Sequence, residues 1–403
     1  MRPPEPFAGS FTLQEPIPEA GIAAAVELMR SGRLHRYDVT PDAPGAASTL
    51  ERRYADWQGA RHCLAVASGG QAMQIALRAA GVRPGDQVLT NAWTLAPVPG
   101  AIACVGAEAV LVETTERLVI DLEDLALKAQ ASGARTLLLS HMRGHLCDMD
   151  ALMVWADGAG VAVIEDCAHT MGAEWNGRKS GGFGLAACFS TQTYKHMNSG
   201  EGGLLCTDDG GLAARATILS GSYELFARHG AGPDPDAFAG AARDCPNASA
   251  RMDQVRAAML LPQLDALEHS LARWERRHAI VAEALRGAPG LALAEPLPGA
   301  RRIGSSIQWR MPGLDADGCR AFVAACAAMG VTVKWFGGAP AGYTSAHRDW
   351  RYLRAQSLPR TDALLATLFD MRLPLTFTEA DCEHLGAILV HAAAETVAHG
   401  EAA

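Results

Sequence analysis

The stretch Val161–Gly203 holds the residue types with the most chemistry in them. It opens VAVIEDCAHTMGAEWNG, an apolar strand pattern that runs into two carboxylates, Glu165 and Asp166. A carboxylate at the C-terminal end of a parallel strand stands where α/β proteins bind ligands. Taken alone, V-I-E-D reads equally well as a turn or a helix N-cap. The stretch continues ACFSTQTYKHMNSGEGG, a second strand pattern leading to Lys195 and a Gly-rich turn with Glu201. A lone lysine before such a turn is more often a solvated surface residue. Order changes that reading, because AVASGGQAM lies upstream as a short Gly-rich strand-to-helix turn. An amine able to form a Schiff base, a carboxylate for a pyridine nitrogen and backbone N–H groups for a phosphate are together what pyridoxal phosphate (PLP) requires. In that chemistry Lys195 supplies the amine and Asp166 keeps the ring protonated as an electron sink. Ser68, Gly69, Gly70 and Gln71 hold the phosphate, with a further hydroxyl from Ser190.

An alternation of strands and helices must position these groups. Apolar, β-branched runs occur at His62–Ala67, Gln87–Asn91, Glu108–Glu113, Arg135–His141, Gly160–Asp166, Ala186–Ser190 and Gly202–Thr207. Helical patterns at Gly70–Ala80, Leu95–Val105, Leu122–Ala131 and Asp148–Ala156 separate the first five. The alternation predicts a mostly parallel seven-stranded sheet covered on both faces. Helices are also expected at 19–31, Leu50–Trp57 and Leu212–Ser220. Gly221–Ala250 reads as a loop, and Met252–Leu285 as a long helix that Pro262 should kink or interrupt. From about residue 290 a smaller α+β portion follows. Its expected strands are Gln308–Met311 and Thr332–Trp335, and its expected helices Asp317–Ala328, Asp362–Phe369 and Glu379–Ala398. The expected division is 1–265 as a large cofactor-binding domain with an N-terminal arm, and 266–403 as a small C-terminal domain.

The chain resembles the DegT/StrS family of PLP-dependent sugar aminotransferases, which have the aspartate aminotransferase (type I) fold. The motifs that carry the resemblance are S-G-G-Q-A-M, G-D-Q-V-L-T-N-A-W-T, H-M-R-G-H-L-C-D-M, E-D-C-A-H-T-M-G-A and S-T-Q-T-Y-K-H-M-N-S-G-E-G-G. The last two are the most specific. The resemblance implies that Lys195 carries the cofactor and shuttles protons, that Asp166 pairs with the pyridinium, and that His169 bonds the ring's phenolic oxygen. It implies an aromatic ring stacked on the cofactor from Trp93–Leu95; Leu95 stands where the family often has an aromatic, so Trp93 is the candidate. Asn247 or Ser249 would reach the phosphate of the neighbouring subunit, giving a homodimer with shared active sites.

The departures cluster where substrate should sit. Arg143 replaces the Tyr of H-x-Y-G, His196 replaces the Asn after the lysine, and VKWFGGAPAGYTSAHRDWRYL lacks the usual pattern. Arg143, His196 and Trp335 are therefore the candidate substrate residues; Lys334, Tyr343, His347 and Arg348 share the divergent segment. The implied reaction moves an amino group from an amino acid, Glu or Gln, to a keto-sugar, cyclitol or related ketone. Another PLP reaction (dehydration, elimination or C–C bond chemistry) is the alternative. A non-catalytic sensor would be expected to have lost Lys195 or Asp166, and neither is lost.

Composition narrows the partners. The 403 residues carry 35 Lys+Arg against 44 Asp+Glu, a formal net charge of -9. That balance, without a long basic run, argues against a nucleic-acid or anionic-membrane binder. The ten cysteines are scattered with no C-x-x-C, which reads as small hydrophobes in a reducing compartment and argues against a cysteine zinc site. No metal is expected. The opening MRPPEPFAGSF lacks an apolar signal region and no run is long enough to span a bilayer, so the expected location is the cytoplasm.

Overall fold

The computed structural model describes residues 3–40, 44–338 and 344–401. Tyr343 lies outside them. Two helices open the chain, α1 (Glu19–Ser31) and α2 (Ala46–Gln58), each closed by a left-handed glycine, Gly32 and Gly59. The alternating region then gives β1 (His62–Val66), α3 (Gly69–Ala79), β2 (Gln87–Asn91), α4 (Pro97–Cys104), β3 (Glu108–Val112), α5 (Leu122–Ser132), β4 (Thr136–Ser140), α6 (Met149–Ala159) and β5 (Ala162–Asp166). A two-residue hairpin, β6 (Glu174–Trp175) and β7 (Arg178–Lys179), precedes β8 (Ala186–Ser190) and β9 (Gly203–Thr207).

Seven of these strands form one sheet in the order β1-β9-β8-β5-β4-β2-β3. Only β9 runs against its neighbours, pairing antiparallel with both β1 and β8. The other pairings, β8 to β5, β5 to β4, β4 to β2 and β2 to β3, are parallel. Apolar clusters cover both faces, one around Leu89, Leu137, Leu139 and Phe189 and the other around Val88, Leu138, Ile164 and Leu205. The expected α/β class and mostly parallel seven-stranded sheet match this arrangement. The carboxyl ends of β4, β5 and β8 lie side by side, since Ser140 pairs with Asp166 and Asp166 with Cys188.

After α7 (Gly210–Ser220), residues 221–250 contain two 3₁₀ turns and the short helix α8 (Ala241–Asp244). The expected long helix is two: α9 (Gln254–Asp265) and α10 (Leu267–Leu285). Pro262 lies inside α9, and the break falls four residues later, where the Ala266 N–H turns back to the Pro262 carbonyl at 3.3 Å.

The C-terminal part is built on an antiparallel sheet, β10 (Ala292–Leu293), β12 (Ser306–Arg310), β14 (Leu368–Arg372) and β13 (Lys334–Trp335), in that order. Strand β11 (Ala300–Arg301) pairs instead with β6. Helices α11 (Ala316–Ala328), α12 (Pro359–Leu365) and α13 (Glu379–Glu401) complete the chain. The expected helix Asp362–Phe369 is corrected here: it ends at Leu365, and Leu368–Arg372 is a strand. L-F-D-M-R has a period of two. Phe369 and Met371 enter the core with Trp309 and Phe322, leaving Asp370 and Arg372 on the other face. The N-terminal arm joins this core: Phe7 and Phe11 each pack edge-on against Phe377 at 5.1 Å.

All ten cysteines are free; eight are buried, Cys104 is exposed and Cys245 half-buried. Among the described residues no helix is long and apolar enough to cross a membrane.

Candidate active site

A cavity of about 510 Å³ lies at the carboxyl ends of the parallel strands. Its walls include Ser68, Gly69, Gly70, Asp166, His169, Ser190 and Lys195, so most of the expected cofactor residues converge. Strand alternation separates the paired carboxylates of β5. Glu165 faces the core and is satisfied by four donors: Phe183 and Gly184 N–H on Oε1, and Gly181 N–H and His141 Nε2 on Oε2, at 2.8–2.9 Å. Burial pushes its pKa up, but His141 and these N–H groups outweigh that and hold it below the ordinary value. Asp166 faces the cavity and, among the described residues, accepts only the Ser140 hydroxyl (2.9 Å) and the Ala168 N–H (3.1 Å). Burial raises its pKa, and no ion pair among the described residues compensates.

Lys195 Nζ lies 2.8 Å from His169 Nε2. Burial is the main reason its pKa is pushed down to about 7; Arg143 and Arg372 push the same way, while Asp166 opposes. Burial, then Lys195, also holds His169 well below the ordinary imidazole range. The Arg143 backbone N–H points at His169 Nδ1 at 3.4 Å. That contact assigns the neutral ring's proton to Nε2, which donates to the lysine amine in its unprotonated form.

The strand-to-helix turn is built for close approach. Ser68 caps α3, its Oγ accepting the Gln71 N–H at 3.1 Å. The N–H groups of Gly69 and Gly70, in the first turn of α3, have no intrahelical carbonyl to reach. A Cβ on Gly69 would sit 2.9 Å from Ser190 Cβ. One on Gly203, the β9 residue opposite both Val66 and Ser190, would sit 2.6 Å from the Gly69 nitrogen. Only glycine fits at either position without displacing the turn.

Several expectations change. Trp93 does not line the cavity; it is buried with Leu118, Met142 and Phe336, edge-on to Phe336 at 5.6 Å, and Leu95 forms the wall instead. The turn after β2 directs the indole inward. Gln71 contributes its N–H to the Ser68 cap and is absent from the wall. Asn247 and Ser249, expected to serve a neighbouring subunit's phosphate rather than this cavity, bond to each other, the Ser249 N–H reaching Asn247 Oδ1 at 2.8 Å, and neither lines the wall. His196 points away from it, edge-on to Trp274 at 5.0 Å; burial and Lys195 push its pKa down to about 3. Trp335 gives its indole N–H to the Ala366 carbonyl at 2.8 Å and stays off the wall. His347 and Arg348 both face Asp362.

Arg143 does reach the cavity, from a turn in which its φ is 56°. Its guanidinium pairs with Asp370 at 2.7 Å. Arg372 and Tyr194, which the sequence reading did not single out, also line the wall, with the guanidinium 4.1 Å from the tyrosine ring centroid. The signal for Arg372 was the period-two pattern of L-F-D-M-R next to L-P-L.

The profile of the DegT/DnrJ/EryC1/StrS aminotransferase family matches residues 19–390. The chain belongs to this family. A GDP-perosamine synthase of Caulobacter vibrioides is 33 % identical over 231 residues, 56 % of this chain and 58 % of that protein. A dTDP-3-amino-3,4,6-trideoxy-alpha-D-glucose transaminase of Streptomyces venezuelae is 32 % identical over 72 % of this chain and 70 % of its own. The match thus spans under two thirds of the first relative's length and more than two thirds of the second's. The crystal structure of S. venezuelae DesV with a ketimine intermediate superposes with a TM-score of 0.77 at 26 % identity, over 93 % of this chain and 94 % of that one. Family membership implies PLP, and the residues present fit it: a lysine amine whose pKa is pushed down to about 7, a buried carboxylate short of partners, and a glycine cradle at a helix N-terminus.

Proposed function

We propose that this protein is a PLP-dependent aminotransferase that moves an amino group from an amino acid, glutamate or glutamine, to a ketone on a sugar, cyclitol or related ring. The observation that carries the reading is the convergence of the Lys195 amine, the Asp166 carboxylate and the Ser68–Gly70 turn on one cavity. When bound, PLP supplies the electron sink that lets the bonds at an amine-bearing carbon be broken. Everything else falls to the chain. The N–H groups of Gly69 and Gly70 and the hydroxyls of Ser68 and Ser190 hold the phosphate. Asp166, fixed by Ser140 and Ala168, keeps a proton on the ring nitrogen through its charge. Lys195 Nζ, its pKa pushed down to about 7, is the amine that would hold the cofactor through its aldehyde, and it would move a proton to and from the reacting carbon. His169 positions that amine and donates from Nε2. The relatives that make amino sugars support the ring ketone as acceptor.

Residues 1–265 act in this reading as the cofactor-binding domain and 266–403 as the smaller one, with the arm packed on the latter. A homodimer in the cytoplasm is part of the proposal. In this reading Asn247 or Ser249 reaches the phosphate in the neighbouring subunit.

The test is an absorbance scan of the PLP-loaded protein as L-glutamate and L-glutamine are added in turn. Bleaching of the visible band by one of them, with release of its keto acid, is the expected result. No change with any amino acid would refute transamination.

A further inference from the structure

Two polar residues of G-D-Q-V-L-T-N-A-W-T, Asn91 and Thr94, are buried at the cavity end of the sheet. Asn91 is the last residue of β2, and Thr94 follows in the turn and forms part of the cavity wall. Strand β2 neighbours β4, and both side chains reach the last residue of β4, Ser140. Asn91 Oδ1 accepts the Ser140 N–H at 2.9 Å, and the Thr94 hydroxyl donates to Ser140 Oγ at 2.7 Å. Ser140 stands opposite Asp166 in the pairing of β4 with β5, and its own hydroxyl donates to Asp166 Oδ2 at 2.9 Å. The ends of three adjacent strands are thus joined through one serine.

The directions of the protons follow from the group at the end of the chain. An ionised carboxylate only accepts, so the single Ser140 O–H must point at Asp166. Ser140 Oγ is then an acceptor toward Thr94, whose one O–H is spent on it. Both hydroxyl protons point the same way, toward Oδ2. Hydroxyls aligned head to tail polarise each other and strengthen the last bond of the series. Thr94, Ser140 and Asp166 are all buried, so little water competes for these bonds. Burial alone raises the Asp166 pKa; the Ala168 N–H, Lys195, the Ser140 hydroxyl and His141 oppose it, in that order. A carboxylate that must stay charged beside a pyridine nitrogen needs such donors, because burial favours its neutral form.

We propose that Thr94 and Ser140 are positioning residues that act on the cofactor through Asp166, a one-way pair of hydroxyls that keeps this carboxylate ionised and aimed at the ring nitrogen. Asn91 fixes the serine from its backbone side. The inference rests on the PLP-dependent reading above.

The experiment measures the affinity of the full-length, cofactor-free protein for pyridoxamine phosphate by isothermal titration. This form of the cofactor has no aldehyde, so it cannot bond to Lys195, and its affinity reads the non-covalent contacts. Ser140→Ala should weaken it by about tenfold to a hundredfold, the loss of a hydrogen bond to a charged group. Thr94→Val, which keeps the shape and removes the donor, should weaken it by about twofold to tenfold. Thr94→Ser, which keeps the hydroxyl, should bind as wild type does. The deciding arm is the double-mutant cycle. In an Asp166→Asn background the chain has no charge to serve, and adding Thr94→Val should change the affinity by less than about twofold. Circular dichroism should be native throughout. An equal loss from Thr94→Val in both backgrounds would mean that Thr94 touches the cofactor directly or merely shapes the wall, and would overturn the proposal. So would unchanged affinity in Thr94→Val and Ser140→Ala, or a loss in Thr94→Ser as large as in Thr94→Val. Wild-type protein that binds no pyridoxamine phosphate would sink the aminotransferase reading itself, an outcome distinct from intact wild-type binding that the variants fail to move.

Discussion

Glu165 and Asp166 are adjacent carboxylates and both buried, yet the account gives them opposite jobs. Their amide variants should separate those jobs. Glu165 accepts four N–H donors, three of them backbone groups that cannot move away. In Glu165→Gln one oxygen remains for two donors, and the new NH₂ group faces the other two. His141 can change tautomer and accept from it; a backbone N–H such as that of Gly181 cannot. Losing charge-assisted bonds and stranding a buried donor costs about 3–4 kcal/mol. Asp166→Asn differs, because its oxygen still accepts from Ala168 and its NH₂ can donate to the Ser140 hydroxyl. Burial disfavours the Asp166 charge, so its removal should change stability by less than about 1 kcal/mol. The assay is equilibrium urea unfolding of the cofactor-free proteins followed by circular dichroism, with turnover measured on the loaded ones. Asp166→Asn should fold normally and lose activity by orders of magnitude. If Asp166→Asn destabilises as much as Glu165→Gln, Asp166 is a structural carboxylate and the reasoning fails.

Three further outcomes follow from packing and charge. Arg36 and His229 hold the buried Glu51 at about 2, against an unfolded value near 4.5, so its contribution is full above pH 4.5 and fades as pH falls toward 2. That amounts to about 3 kcal/mol, and Glu51→Gln should flatten the acid limb of a stability-versus-pH curve between those values. Gly203→Ala would drive its Cβ to 2.6 Å from the Gly69 nitrogen, so PLP retained after dialysis should drop sharply while circular dichroism stays native; full retention would mean the turn is not the phosphate cradle. Trp93→Ala should cost about 3–5 kcal/mol, as a large buried ring does, and leave the absorbance of the loaded protein unshifted; a shifted band would put Trp93 back against the cofactor.

The parts of the site that lie along one stretch of chain were legible in the sequence. An apolar run ending in Asp166 and another leading to Lys195 must be neighbouring parallel strands if the alternation holds, and their carboxyl ends then share a crevice. What the pattern could not carry was direction. Trp93 and Leu95 are two residues apart, and only the turn after β2 decides that the indole goes inward and the leucine to the cavity. The charge reaching in from the C-terminal part was also hidden. Leu368–Arg372 has the composition of a helix end, and its role as a central strand depends on β12 and β13 flanking it. Arg372 enters the cavity for that reason alone. Arg143 was visible as an extra cation, but its bond to Asp370 joins residues more than two hundred positions apart, which no local pattern encodes.

The central claim is that Lys195 is the amine that holds the cofactor. The direct measurement is borohydride reduction of the PLP-loaded protein, followed by proteolysis and mass mapping of the modified peptide. The account predicts the pyridoxyl group on Lys195, in the peptide spanning Thr191–Gly203, and no visible absorbance in Lys195→Ala. Label on Lys179 or Lys334 in the wild-type protein, or a retained band in Lys195→Ala, would contradict it.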